Sequence, residues 1–282
     1  MLESSPVADA YLDLMQRALS ASLYEESAWA PLPVRPPRLA DLNRPLHFSR
    51  EALRHFALRA LRRRSILTHR RRPFDASVRD EGRDWPTFGY TMIGHRRLDN
   101  IRACVEDVLR REVPGDLLEA GVWRGGAAIY MRAILRAHGV ADRTVWVADS
   151  FAGLPVPISD TDGADLSGVD VLKVSLEQVR ANFARFDLLD ERVRFLEGWF
   201  RDTLPHAPVE RLAVLRLDGD LYSSTMDTLE NLYDKVSPGG YVIVDDYHSW
   251  KSCHDAVHDF LDRRSLTPEI HSIDWAGAYW RK

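Results

Sequence analysis

The chain has 282 residues, of which 45% are hydrophobic and 28% are charged, and its formal net charge is -4. These totals fit one α/β domain with a sizeable core plus an appendage. They speak against a basic nucleic-acid-binding surface, and no apolar run is long enough for a membrane helix. Two cysteines are too few for a disulfide framework, and the acidic first residues do not resemble a signal peptide. We therefore expect a cytoplasmic protein that binds neither nucleic acid nor membrane.

The first 80 residues predict a helical extension to a domain that spans residues 81–282. Residues 7–26 have the apolar spacing of an amphipathic helix. Its apolar side needs a partner surface, on the main domain or on a second subunit, and we expect a homodimer or a higher homo-oligomer. Five prolines between positions 30 and 45 predict a stiff extended linker without helix or strand.

An arginine-rich stretch follows the linker. Nine arginines and one glutamate lie between Arg50 and Arg72, and the pattern predicts a helix from Ser49 to about Arg63. The stretch either binds an anionic partner or substrate, or forms a solvated helix face followed by a basic loop. The lack of interleaved aromatic residues favours the solvated face.

Residues 116–150 predict a strand, a glycine-rich turn, a helix and a second strand, which together make one right-handed βαβ unit. Small residues in the first turn let a ligand approach the backbone closely. An acid at the end of the second strand, here Asp149, is where such folds hold a ribose. This unit is therefore predicted to bind a nucleoside.

The turn EAGVWRGG lacks the spacing G-x-G-x-x-G of a dinucleotide site. Glu119 lies within the turn region, where its charge would repel a pyrophosphate and suit a cationic amino-acid group. The sequence therefore favours S-adenosylmethionine over NAD. A plain α/β turn without a ligand is the alternative.

The remaining chain predicts a long polar loop over residues 151–174 and three further strands at regular intervals. A loop of this length beside strand ends is typical of a lid or a substrate-binding segment. A helix starting at Ser175 and a terminal hairpin, at about residues 269–273 and 278–281, complete the set. The prediction is a doubly wound, mostly parallel, seven-stranded α/β sheet that binds ligands at its strand ends.

Three aspartates follow neighbouring strands. Asp218 ends one predicted strand, and Asp245 and Asp246 end the next. Three carboxylates at one edge repel each other unless a cation holds them, and oxygen ligands favour Mg²⁺. A metal-bound hydroxyl is a better nucleophile for methyl transfer, and Asp218 is the candidate general base. The alternative is that the aspartates cap a helix or face water.

Histidines near this acidic pair suggest a weaker hypothesis. His254 and His258 lie four residues apart on a predicted helix, as zinc ligands do, but no third ligand is evident. A surface pair is the favoured interpretation. His248 is better placed to contact a substrate, or it is an ordinary loop residue.

Long motifs extend along the chain. They are YLDLM, GRDWPT, TMIG with RRLDN, VPGDLLEAGVWRGG, DRTVWVADSFAGLP, NFARFDLLD, VRFLEGWFRDTLPHAP, LAVLRLDGDLYSSTMDTL, KVSPGGYVIVDDY and GAYWRK. With these motifs, the sequence resembles the macrocin O-methyltransferase family, the sugar-tailoring enzymes of macrolide and aminocoumarin antibiotic pathways. The resemblance covers the first helix and nearly all of residues 82–282.

The resemblance implies a class I S-adenosylmethionine-dependent fold, Mg²⁺, and methylation of a deoxysugar hydroxyl in a secondary metabolite. Metal ligands would be Asp218, Asp245 and Asp246, with Asp218 also the leading candidate for base. Cofactor contacts would come from Met92, Glu119, Gly121, Asp149, Ser150, Gly198 and Trp199.

The chain departs from the family pattern where substrate would bind. Tyr90 stands where a histidine commonly precedes TMIG, and Trp85 stands where some members have tyrosine. The stretch over residues 30–80 is also longer than usual. The resemblance to the family therefore predicts the reaction better than it predicts the substrate. Two alternatives are methylation of a phenolic or catechol-like hydroxyl and a nucleoside-binding protein without catalysis.

Overall fold

The computed structural model describes residues 5–31, 52–53, 56–57 and 69–282. Most of the predicted linker and most of the arginine-rich stretch lie outside these residues, and the four described residues at 52–53 and 56–57 are helical. The strands are β1 (Ala28–Pro31), β2 (His69–Arg72), β3 (Trp85–Pro86), β4 (Asp116–Ala120), β5 (Val145–Asp149), β6 (Val193–Glu197), β7 (Leu212–Leu217), β8 (Val236–Val244), β9 (His271–Ser272) and β10 (Ala278–Arg281).

Helices alternate with these strands. They are α1 (Pro6–Leu19), α2 (Ala76–Asp80), α3 (His95–Arg110), α4 (Gly126–Ala137), α5 (Leu176–Arg185), α6 (Phe200–Thr203), α7 (Tyr222–Leu232) and α8 (Lys251–Arg263). Short 3₁₀ turns occupy Ser22–Tyr24, Asp170–Leu172, Leu204–His206 and Tyr233–Lys235. No helix among the described residues is long and apolar enough to cross a membrane.

The main sheet has seven strands in the order β6-β5-β4-β7-β8-β10-β9. Strands β4 to β8 run parallel, and β10 is antiparallel to β8. This confirms the predicted doubly wound, mostly parallel, seven-stranded sheet. The strand order reverses at β4, which lies between β5 and β7. Ligands bind doubly wound sheets at this kind of reversal, beyond the carboxyl ends of the strands.

Both faces of the sheet are buried. Successive side chains of a strand point to opposite faces, and Leu117 and Leu118 of β4 accordingly belong to two separate hydrophobic clusters. Residues of α1, α3, α4 and α5 fill the first cluster, and residues of α7 and α8 fill the second. The sheet therefore forms a rigid platform whose edge carries the site.

Helix α1 belongs to the first cluster. Leu12 and Leu19 are fully buried, and Gln16 Nε2 donates a hydrogen bond to Tyr130 Oη in α4 at 2.9 Å. The main domain therefore covers this apolar side. The helical spacing also predicts Leu14 on this side, but Leu14 is 53% exposed. Oligomerisation and the proposed division at residue 80 stay predictions.

The predicted helix over residues 7–26 was too long. It ends at Leu19, because Ala21 and Glu25 adopt left-handed backbone with φ of 56° and 48°. The extended linker was also wrong at its start, since Ala30 and Pro31 belong to β1. That strand lies between β2 and β3 in a small three-stranded sheet that the sequence did not predict.

Two later boundaries also differ from the prediction. The apolar spacing of Leu229, Leu232 and Val236 predicts one helix that stops at Pro238. Val236 instead begins β8, because the register against β7 shifts and Pro238 and Gly239 are accommodated within the strand. The first hairpin strand was predicted over residues 269–273 and is limited to His271–Ser272.

Candidate active site

The glycine-rich turn after β4 is shaped by close backbone contacts. Gly121 has a φ of 87°, and a Cβ at this position would collide with the carbonyl oxygen of Asp218. The backbone amide of Asp218 in turn donates to the carbonyl of Ala120 at 2.8 Å. The turn therefore lies directly against the end of β7.

Asp149 fixes this turn from the end of β5. Its Oδ2 accepts a hydrogen bond from the amide of Val122 at 2.7 Å, and its Oδ1 accepts one from the amide of Phe151 at 2.8 Å. Burial raises the pKa of Asp149 above its usual value, and these amides oppose that shift. Each oxygen has a second lone pair, so the carboxylate also has the capacity to accept hydrogen bonds from a ligand's hydroxyl groups.

A cavity of about 220 Å³ opens at the reversal of the strand order. Five of the seven predicted cofactor residues line it: Met92, Gly121, Asp149, Ser150 and Trp199. Glu119 and Gly198 are not part of its wall. The side chains of Trp123 and Phe200, which the sequence analysis did not select, also line the cavity.

Glu119 was expected to face a cationic ligand, and the structure corrects this. Its carboxylate is buried and accepts a hydrogen bond from Arg216, which lies directly opposite it in the register of β4 and β7. Its second oxygen, Oε2, has no hydrogen-bond partner among the described residues. Burial raises the pKa of Glu119 to about 8. Glu119 therefore has its cationic partner within the sheet, and the charge of Arg216 opposes the effect of burial on its pKa without outweighing it.

The three predicted metal ligands converge. One carboxylate oxygen from each of Asp218, Asp245 and Asp246 lies within 4.8 Å of the others. The side chain of Asp218 is 31% exposed and lines the cavity, whereas that of Asp245 is 6% exposed. Asp246 Oδ2 is buried without a hydrogen-bond partner among the described residues. An all-oxygen donor set with an unsatisfied buried oxygen fits Mg²⁺.

Two buried arginines, missed by the sequence analysis, bind these carboxylates. Arg216 donates to one oxygen of Asp245 and, at 3.0 Å, to Asp218 Oδ2. Arg97 donates to the other oxygen of Asp245 and, at 3.0 Å, to Asp274. A single arginine within the apolar strand LAVLRL was the available signal for Arg216, because an unpaired charge is not buried.

Asp220 is a further carboxylate that the sequence analysis missed. It lines the cavity two residues after Asp218, on a left-handed backbone with φ of 57°. Burial, followed by the charge of Asp218, raises the pKa of Asp220 to about 7. Burial and then Asp245 raise the pKa of Asp218 to about 6. The repeated acid in the motif DGD was the signal for this residue.

The predicted substrate loop does border the cavity. Leu154 and Val156 line it. Trp123 Nε1 donates a hydrogen bond to the carbonyl of Val171 at 2.8 Å, which connects the loop to the glycine-rich turn after β4, the donor turn. Asp162 is buried and accepts a hydrogen bond from the amide of Ser223 at 2.6 Å, at the start of α7. The loop is therefore anchored on both sides of the site.

The histidines have other partners. His258 Nε2 lies 2.7 Å from Tyr247 Oη, and His248 Nε2 lies 2.9 Å from Ser272 Oγ on the hairpin. The metal-type cluster found among the described residues contains no histidine. Tyr90, which replaces the expected histidine, packs edge-on against Phe186 with ring centroids 4.9 Å apart.

The strand order, the glycine turn beside an acid and the cavity at the reversal define a class I S-adenosylmethionine-dependent methyltransferase fold. The sequence matches the family described as Macrocin-O-methyltransferase (TylF) over residues 8–282. The chain belongs to this family and is an O-methyltransferase.

Individual relatives agree with this assignment. The chain is 49% identical over 285 residues to demethyldecarbamoylnovobiocin O-methyltransferase of Streptomyces niveus, covering 99% of this chain and 96% of that protein. It is 57% identical over 217 residues to 8-demethyl-8-(2,3-dimethoxy-alpha-L-rhamnosyl)-tetracenomycin-C 4'-O-methyltransferase of Streptomyces olivaceus, covering 73% and 81%. The solved structure of the O-methyltransferase NovP has a TM-score of 0.79 at 48% identity, covering 98% of this chain and 99% of that one.

Proposed function

We propose that this enzyme transfers a methyl group from S-adenosylmethionine to a sugar hydroxyl of a glycosylated secondary metabolite, with Mg²⁺ as cofactor. The observation that carries the proposal is the position of Asp218. This residue belongs to the three-carboxylate cluster and also lines the cavity beside the donor turn. A hydroxyl bound next to Asp218 would lie beside a donor held by the turn.

The sugar as acceptor is supported by the relatives. The Streptomyces olivaceus protein is named for methylation at the 4' position of a compound with a rhamnosyl group. The Streptomyces niveus protein is named for the acceptor demethyldecarbamoylnovobiocin. We extend from these names only the class of acceptor, a hydroxyl on a glycosylated natural product.

The chain's own residues divide the task. Asp149 would accept hydrogen bonds from the ribose hydroxyls, and Met92 and Trp199 would pack around the donor in the cavity. Asp218, Asp245 and Asp246 would hold Mg²⁺, which lowers the pKa of a bound hydroxyl and fixes its orientation. Asp218 Oδ1 or the Asp220 carboxylate would take the hydroxyl proton, because both side chains line the cavity.

The proposal is tested with a chelator and a set of acceptors. EDTA should abolish methyl transfer from labelled S-adenosylmethionine, and Mg²⁺ in excess should restore it. A screen should compare glycosylated natural products, their sugar-free aglycones and simple catechols. Full activity in EDTA would contradict the metal assignment, and turnover of catechols alone would contradict the sugar assignment.

A further inference from the structure

Arg216 lies at the centre of the main sheet with 1% of its side chain exposed. Its Nη1 donates to Glu119 Oε1 and to Asp218 Oδ2, and its Nη2 donates to Asp245 Oδ1. One guanidinium therefore connects carboxylates on or beside the ends of β4, β7 and β8. Glu119 precedes the donor turn, whereas the two aspartates belong to the metal cluster.

Such a network needs an explanation other than stability. Buried ion pairs contribute little net stability, because the loss of hydration offsets their attraction, and apolar residues of similar volume often do as well. The other residues of β7 are apolar and buried, so the strand would pack without a charge at this position. The geometry of the arginine offers a reason, since its rigid, planar fork fixes several carboxylates at once.

Both oxygens of the Asp245 carboxylate accept hydrogen bonds from arginines. Arg216 holds its Oδ1, and Arg97 holds its Oδ2 from helix α3. Arg97 is itself bound by Asp274 in the hairpin connection. Asp246, by contrast, has an Oδ2 that accepts no hydrogen bond from the part of the chain that the structure describes. The cluster therefore combines one fully oriented carboxylate with one that keeps an oxygen free.

We propose that Arg216 is a positioning residue that holds Asp218 and Asp245 in the arrangement that binds the metal. Through its hydrogen bond to Glu119 in β4, it also fixes the position of these two aspartates relative to the strand that leads into the donor turn. The inference rests on the proposed function, because it assumes that the cluster binds a divalent cation. Residues that orient metal ligands typically change metal affinity by about 10–100-fold when they are altered. The substitution Arg216→Lys keeps the positive charge but removes the planar fork. It therefore tests the orienting effect of the guanidinium separately from the effect of its charge.

The experiment measures Mn²⁺ binding directly, by the loss of the free-ion electron paramagnetic resonance signal, without donor or acceptor. In Arg216→Lys we expect the dissociation constant for Mn²⁺ to rise about 10–100-fold. The matched control is Arg132→Lys, because Arg132 is also buried and ion-paired, with Asp190. That control should lower the melting temperature and leave Mn²⁺ binding within about twofold.

A double variant separates positioning from simple charge compensation of Glu119. Arg216→Met alone leaves Glu119 buried and unpaired, so this variant is expected to be unstable or unfolded. Arg216→Met combined with Glu119→Gln removes the unpaired charge of Glu119, and its melting temperature should recover in part, because Asp245 keeps its ion pair with Arg97. Its Mn²⁺ affinity should stay low, because Asp218 and Asp245 still lack their common donor. Recovery of Mn²⁺ affinity in the double variant would overturn the positioning role.

The remaining outcomes separate this inference from the proposed function. Wild-type binding of Mn²⁺ that is abolished in Asp246→Asn confirms that the cluster is a metal site. Unchanged or tighter Mn²⁺ binding in Arg216→Lys would then overturn the positioning role alone. A wild-type protein that binds no Mn²⁺ would overturn the metal assignment, and the role of Arg216 with it.

Discussion

The two halves of the site are built differently. The donor half is built around one continuous segment, residues 116–150, in which backbone amides and the carboxylate of Asp149 define the turn. Met92 and Trp199 join it from other parts of the chain. The acceptor half consists of the three aspartates of the cluster and the two arginines that bind them, Arg97 and Arg216. These residues are far apart in sequence, since 148 positions separate Arg97 from Asp245. The donor half thus uses backbone geometry, and the acceptor half uses paired charges held by the completed fold.

Because of this difference, substitutions in the two halves should have different effects on the site. A change in the donor turn alters a local shape that is needed for one ligand. A change in the acceptor half removes one member of a charge network, and the remaining members are left buried without a partner. The halves meet at the contact of Gly121 with Asp218 and at the side chain of Arg216.

The largest effect is expected from Asp218→Asn, which breaks the acceptor half alone. It removes a proposed metal ligand and a candidate base, and kcat should fall by about 10³-fold or more. Binding of S-adenosylmethionine, measured by calorimetry, should stay within about threefold, because the donor turn is intact. Unchanged activity would contradict the assignment of Asp218.

Asp220→Asn refines this test. If Asp220 takes the proton, kcat falls while Mn²⁺ affinity is kept, because Asp220 is not in the three-carboxylate cluster. If Asp218 serves as both ligand and base, Asp220→Asn should affect mainly the Michaelis constant for the acceptor.

The sequence located the aspartates of both halves, but not the arginines that hold those of the acceptor half. The turn and Asp149 are local, so the alternation of strand and helix located them. Glu119 was misjudged, because the partner that neutralises it is 97 residues away. Arg97 could not be predicted, since helical spacing says nothing about which strand end the side chain reaches. The end of the first helix was missed because apolar spacing does not reveal left-handed residues such as Ala21.

Gly121→Ala tests the backbone contact between the halves. A left-handed alanine costs about 1–2 kcal/mol, and here the methyl group also meets the carbonyl of Asp218. We expect binding of S-adenosylmethionine and Mn²⁺ to weaken together. The matched control is Gly139→Ala, because Gly139 has a φ of 67° with no atom within 4 Å of a Cβ. That variant should lose stability only, and an identical result for both variants would show that strain alone is responsible.

Asp149→Asn should weaken the donor half alone. Loss of charge-assisted hydrogen bonds from the ribose hydroxyls of the donor costs about 1.5–3 kcal/mol, which corresponds to about 10–100-fold in the dissociation constant of S-adenosylmethionine. Calorimetry checks this value, and Mn²⁺ affinity should not change. Asp75→Asn is the control, because Asp75 also accepts hydrogen bonds from backbone amides but caps the distant helix α2. Weaker Mn²⁺ binding in Asp149→Asn would show that the halves are not separable.

The smallest expected effect is the dependence of Mg²⁺ stabilisation on pH. Without metal, burial raises the pKa of Glu119 to about 8, of Asp220 to about 7 and of Asp218 to about 6. The folded chain therefore keeps protons that the unfolded chain releases near pH 4, so these groups favour folding below about pH 4 and lose this contribution progressively as the pH rises from there to their folded pKa values of about 6 to 8. Magnesium would bind the ionised carboxylate of Asp218, so its stabilisation should increase as the pH rises through about 6.

At a hundredfold excess over its dissociation constant, Mg²⁺ should stabilise the folded protein by about 2.7 kcal/mol. We therefore expect a rise in melting temperature of about 5 °C near pH 8 and almost none near pH 5, because protons compete for the same oxygens. In Asp246→Asn the rise should be absent at every pH, since a ligand is missing. An equal rise at both pH values would place the ion at another site, and the acceptor half would then be a network of arginines and carboxylates without a metal.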